Sequence, residues 1–147
     1  TECAAICAYL ADAFPSAGLA PATTDRADYY RWLFFAAGPV EQAITAKHLG
    51  IEPDADQQRS AGFGTLEHAL DALESAVAGK TYVAGDRFTA ADVYVGSQVD
   101  WGLQFGTIPS RPAFEAYAAG LRERAGYKAA KAIDNALIAE MRAASPA

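Results

Sequence analysis

Between Val93 and Phe105 the chain is apolar on almost every side: Val93, Val95, Val99, Trp101, Leu103 and Phe105 leave little polar face. A helix of that kind requires neighbours all round it and belongs in the centre of a bundle. The rest of the sequence supplies those neighbours. Apolar residues recur at three-four spacing nearly everywhere, and strand-like alternation is almost absent. Cys3, Ile6, Cys7, Leu10 and Phe14 form one stripe, stopped by Pro15, Gly18 and Pro21. Tyr30, Leu33, Phe34, Ala37, Ile44 and Leu49 form a second, with Thr24 or Asp25 as its cap. Gly38-Pro39 falls inside this helix and predicts a kink rather than a break. Phe63, Leu66, Leu70, Leu73 and Val77 form a third, closed by Gly79. Beyond the central helix, Phe114, Tyr117 and Leu121 mark a fifth. Tyr127, Ala130, Ile133, Leu137 and Met141 predict the inward face of a sixth, and "AASPA" at 143–147 reads as a frayed tail. Helix after helix with short polar joints predicts an all-α helical bundle.

Composition excludes several classes. Of 147 residues, 52% are hydrophobic and 20% charged, which argues against disorder and for a real core. The net charge of −6 leaves no basic stripe for nucleic acid. The longest apolar run, "WLFFAAGPV", is bounded by Arg31 and Glu41 and reads as core, not membrane. Two cysteines cannot staple a secreted fold of this length, and with only His48 and His68 beside them no metal site has familiar ligand spacing. Cys3 and Cys7 are expected as small buried thiols on one helix face. The opening "TECAAICAYL" has no basic n-region and no cleavage site, so a reducing cytoplasm is the expected location.

The stretch "GDRFTAADVYVG", residues 85–96, holds a carboxylate at the mouth of the central helix. With Thr89 as N-cap, Asp92 is N3 and can reach back to the cap's own N–H while the threonine hydroxyl accepts from the N3 amide. Phe88 and Val93 occupy the two positions of a hydrophobic staple. These letters assign Thr89 and Asp92 a structural capping role rather than a catalytic one. The device suits a buried helix, whose first amides have no water to bond.

A capped, buried helix reading "GDRFTAADV" resembles the sixth helix of glutathione S-transferases. The likeness continues in order along the chain. "TECAAICAYLADAFP" resembles the last helix of that family's thioredoxin-like domain, and "YYRWLFFAAGPVEQA" the long kinked helix that opens its C-terminal helical domain. "LDALESAVAGKTYVAGDRFTAADVYVGSQVDWGLQFG" and "RPAFEAYAAGLRER" resemble the remainder, with bacterial members nearest in character. The resemblance implies that residues 1–14 are the last helix of a thioredoxin-like domain otherwise missing from this chain. Residues 15–147 would be the C-terminal helical domain.

The resemblance also implies a site. The Tyr, Ser or Cys that steadies the glutathione sulfur would lie in the missing part, so no catalytic residue is assigned here. An acidic or amide residue followed by Ser or Thr binds the γ-glutamyl end of glutathione in the family. Glu2 fits the first role. Cys3 stands in the hydroxyl position, where a thiol donates more weakly. Tyr30, Phe34 and Trp101 are the implied lining of the electrophile pocket, Trp101 at a position where beta-class members have tryptophan. Glu41 and Gln42 replace the His-Lys pair that those members carry. His48 and His68 read as helix-surface residues without a partner that would make either a base.

Two functions follow. The first is a glutathione transferase, a cytoplasmic homodimer when complete, that adds the glutathione thiolate to small hydrophobic electrophiles or uses it for thiol reduction. Glutathione is its co-substrate, with no metal, no nucleic acid and no membrane. The second is a non-catalytic helical module for protein docking.

Overall fold

The computed structural model describes residues 1–144, and every regular element among them is helical. The part of "AASPA" at 145–147 lies outside the described residues, while Ala143 and Ala144 are the last residues of a helix rather than of a tail.

Helix α1 (Cys3–Ala13) leads through two tight turns to α2 (Ala27–Phe35). Neither Thr24 nor Asp25 caps α2, because both lie in the single turn Thr23–Asp25. The residue before α2 is Arg26, whose guanidinium holds Asp12 of α1 at 2.7 Å and the Pro21 carbonyl at 3.0 Å. The expected kink at Gly38-Pro39 is present without a break: α2 passes through one π turn, Ala36–Val40, into α3 (Glu41–His48). Pro39 has no N–H to give and its ring crowds the preceding turn, and the wider turn relieves both.

One helix escaped the periodicity argument. The short α4 (Ala55–Ser60) is polar all round, so no apolar spacing announces it. Its signature is the cap: Asp54 accepts from the amides of Asp56 and Gln57, both at 2.9 Å, while Gln57 accepts from the Asp54 amide. Helix α5 (Leu66–Val77) follows, with Thr65 as cap and Phe63 outside the helix, before the turn-rich stretch that leads to α6 (Ala90–Phe105). Gly106, at φ 72, ends α6 in the left-handed conformation that glycine adopts without strain. Helices α7 (Pro112–Arg122) and α8 (Ala125–Ala144) complete the chain.

Helix α6 is central, packed against α1, α2 and α7. Leu33, Val40, Leu73, Val95, Val99 and Phe114 are almost wholly buried around it. Its contacts are made by small residues as much as by large ones. Ala90, Ala91, Gly96 and Gly102 are all buried, and a Cβ on Gly96 would meet Leu121 Cδ1 at 2.3 Å. The expectation that α6 is covered all round holds only in part, since Val93, Trp101 and Phe105 reach solvent.

The stripes of α1 and α8 face outward, against expectation. On α1 the bundle is met by Ala4 and Ala11, while Ile6, Leu10 and Phe14 lie 45%, 46% and 61% exposed. On α8 no residue is buried, and Ile133, Leu137 and Met141 are open to solvent. Spacing identifies an apolar face but not what covers it.

Candidate functional site

The turn into α1 holds an unusual backbone. Glu2 sits at φ 62 and ψ 101, and it is the one non-glycine with positive φ among the described residues. A residue with a Cβ is strained there, and such strain persists where the surroundings fix it, often at ligand sites. The Glu2 carbonyl accepts from the Ile6 amide at 2.9 Å, but its carboxylate caps nothing and remains exposed. Next to it Cys3 opens the helix, also exposed, while Cys7 one turn on is half-buried. The expectation of two buried thiols is therefore corrected, because the bundle covers the alanine side of α1. Burial first, and the neighbouring Cys3 second, push the Cys7 thiol up from its ordinary value.

A polar group that sequence reasoning did not single out joins α3 to α6 on this side. The Tyr94 hydroxyl donates to Glu41 at 2.8 Å, and Gln98 donates to the same hydroxyl at 3.3 Å. Burial, then the Glu41 acceptor, push the Tyr94 phenol up to about 12, with Cys3 near enough to add in the same direction. Tyr94 is therefore a neutral donor at ordinary pH. No local motif could announce it, since its partner lies 53 positions away.

The three aromatic residues do not share a pocket. Tyr30 and Phe34 stack on each other, centroids 6.1 Å apart, on the outer side of α2, where Tyr30 accepts from Arg26 at 2.9 Å. Trp101 is 55% exposed against Phe105, 5.5 Å away, and lines a different feature. That feature is a cavity of about 390 Å³ between α6, α7 and α8, walled chiefly by Phe88, Val93, Trp101, Leu121 and Tyr127. The staple positions Phe88 and Val93 thus form part of an open wall.

Thr89 and Asp92 form a capping box that reaches beyond its helix. The Thr89 hydroxyl accepts from the Ala91 amide at 3.3 Å, and Asp92 accepts from the Thr89 amide at 2.9 Å. Asp92 also accepts from the Val83 amide at 2.7 Å and the Tyr117 hydroxyl at 2.8 Å. It is 1% exposed, so one carboxylate joins α6, α7 and the loop before α6. A second buried acid, Asp100, is met by Arg122 at 2.6 Å and by the Tyr127 hydroxyl at 2.7 Å, fastening the start of α8 to α6 and α7. His48 and His68 are both exposed. Among the described residues, no three His, Cys, Asp or Glu side chains converge as metal ligands would, and no helix is long and apolar enough to cross a membrane.

The class is an all-helical domain with a capped central helix and a long helix bent by a π turn, and comparison with known proteins shows what it is similar to. Residues 56–101 match the family model described as glutathione S-transferase, C-terminal domain. Among solved structures the chain is similar to a sphingomonad glutathione S-transferase complexed with glutathione. The identity is 31% and the TM-score 0.66, over 88% of this chain and 65% of that one. The chain thus spans just under two thirds of that relative's length. Comparison with curated proteins found no match. The chain is thus similar to glutathione S-transferases and has the fold of their C-terminal helical domain.

Proposed function

We propose that the protein of which this chain is part is a glutathione transferase, with Glu2, Cys3 and the first turn of α1 receiving the γ-glutamyl end of glutathione. The observation that carries this reading is the strained Glu2 backbone at the head of α1, in a chain similar to a transferase complexed with glutathione. The Glu2 carboxylate suits the ligand's ammonium, and the unpaired amides of the first turn suit its carboxylate. A thiol held near neutral pKa supplies thiolate, which forms a bond to an electrophilic carbon while the leaving group departs with its electron pair, or attacks a disulfide sulfur and displaces a thiolate. Tyr94, Glu41 and Gln98, on the Cys3 side of α6, would then border the acceptor and take over the part assigned above to Tyr30 and Phe34. Trp101, which lines the cavity between α6, α7 and α8, has no part in that border.

The outward stripe of α1 supports the division at residue 14. Cys3, Ile6, Leu10 and Phe14 present a face that the helical bundle leaves uncovered, as the last helix of a thioredoxin-like domain would. We place the complete enzyme in the cytoplasm as a homodimer, in keeping with two free thiols. The docking-module alternative is favoured by one observation, the open apolar face of α8.

Titration of the complete protein with glutathione, alone and as Glu2→Ala, tests the reading, with conjugation to a chloronitrobenzene as second readout. Binding that weakens about tenfold in Glu2→Ala supports it, the worth of one charge-assisted contact. No glutathione binding by the complete wild type would leave the docking module.

A further inference from the structure

Helix α1 carries the chain's two cysteines, Cys3 and Cys7, and both are free. They stand four residues apart on a regular helix, so one lies a turn beyond the other on the same face. The bundle meets α1 through Ala4 and Ala11 and buries neither thiol, leaving Cys3 exposed and Cys7 half-covered.

The spacing limits what the pair can hold. Side chains four apart on a helix keep their Cβ atoms about 5–6 Å apart, whereas a disulfide draws them to about 3.5–4.5 Å. The pair therefore cannot close on itself without unwinding the first turns of α1. Zinc takes four ligands, and among the described residues no third His, Cys, Asp or Glu joins the two thiols as a ligand would. What fits is a soft atom that takes two thiolates and brings the rest of its own coordination. The stripe runs on from Cys7 to Leu10 and Phe14, 46% and 61% exposed, so apolar surface lies beside the pair.

We propose that Cys3 and Cys7 form a dithiol site for a trivalent arsenic centre carrying one apolar substituent, with arsenic bridging the two sulfur atoms and the substituent along Leu10. Such a centre arrives as a hydrated oxide with two hydroxyl groups. Each thiol forms an arsenic–sulfur bond as one arsenic–oxygen bond breaks, and the thiol proton leaves with that hydroxyl as water. Two waters depart, arsenic stays trivalent, and nothing is oxidised or reduced. Exposed Cys3 makes the first bond. Burial first, and Cys3 second, push the Cys7 thiol up, which slows it toward a free reagent. The second bond, however, closes within the molecule, where the effective concentration is on the order of millimolar. The site does not rest on the glutathione reading.

Phenylarsine oxide added to the reduced, native chain tests this, with bound arsenic read by intact mass and remaining thiols by a chromogenic disulfide. One equivalent should attach one phenylarsenic group and remove both thiols together. The adduct should survive millimolar glutathione, a monothiol, and come off with dithiothreitol. Cys3→Ser and Cys7→Ser each leave a single bond, so glutathione should strip both variants and their affinity should fall about a hundredfold, the gain from linking two contacts. Ala5 is exposed on the same helix, two residues from Cys3 and off its face. Moving the second thiol there, Cys7→Ala with Ala5→Cys, keeps two thiols but loses the bridge and should behave as the single variants do. Far-UV circular dichroism checks that each variant keeps its helices. A wild-type adduct that glutathione strips, a thiol still free at one equivalent, or a displaced pair that holds arsenic as tightly as the native one would overturn the proposal.

Discussion

Replacing Asp92 with alanine asks how much of this fold depends on one carboxylate. The side chain accepts from two buried amides, Val83 at 2.7 Å and Thr89 at 2.9 Å, and from the Tyr117 hydroxyl at 2.8 Å. Alanine leaves these donors, and the Thr89 hydroxyl that donates to the same carboxylate at 3.3 Å, without that acceptor. At roughly 1–3 kcal/mol for each buried donor left unmet, and with some water admitted from the adjoining cavity, the loss is about 4 kcal/mol. Thr89→Ala removes the 3.3 Å bond from Ala91 and the 3.3 Å bond that the Thr89 hydroxyl donates to Asp92, and should cost about 1 kcal/mol. Asp92→Asn keeps one acceptor oxygen and should fall between, at about 2 kcal/mol. Urea denaturation followed by circular dichroism, with slopes compared to confirm two-state behaviour, gives all three values.

Burial raises the Asp92 carboxyl above its ordinary 3.8, although its bonds to Val83, Thr89 and Tyr117 oppose the rise. The folded chain therefore holds that proton more tightly than the unfolded one. The stability Asp92 contributes through this linkage is fully present below pH 3.8 and is lost as pH rises through the folded-state value. The deficit of Asp92→Asn should accordingly narrow as pH rises over that window. An Asp92→Ala deficit no larger than that of Thr89→Ala would show that Asp92 is a helix cap and nothing more.

Three further outcomes are expected. Exposed Cys3 should react with iodoacetamide faster than half-buried Cys7, whose thiol burial pushes up, and peptide mass mapping of the native chain should show it; equal rates would refute the difference in exposure. Gly96→Ala places a Cβ 2.3 Å from Leu121 and should destabilise by about 1–3 kcal/mol in chemical denaturation, whereas the same change at Gly120, which meets nothing within 4 Å, should stabilise by about 0.5–1 kcal/mol. The Tyr29 hydroxyl is buried without a hydrogen-bond partner, so Tyr29→Phe should raise the melting temperature, and a fall would mean that water bonds to that oxygen.

The local code of this chain is strong. Three-four spacing and the stops at Pro15, Gly79 and Gly106 mark most helices, because backbone preference acts over a few residues and is written there. The box at Thr89 and Asp92 has the same character, since both partners lie within one turn. Even the overlooked α4 carried its Asp54–Gln57 cap in plain letters. Tertiary structure decided which side of each stripe is covered. Large apolar residues dominate a reading by periodicity, yet α1 meets the bundle through Ala4 and Ala11, since small side chains let helices approach closely and turn the large ones outward. It also decided the partners of Asp92 and Asp100, the approach of Tyr94 to Glu41, and the separation of Trp101 from Tyr30 and Phe34. Such pairs lie tens of residues apart, and only the crossing of packed helices brings them within the 3 Å that a hydrogen bond requires.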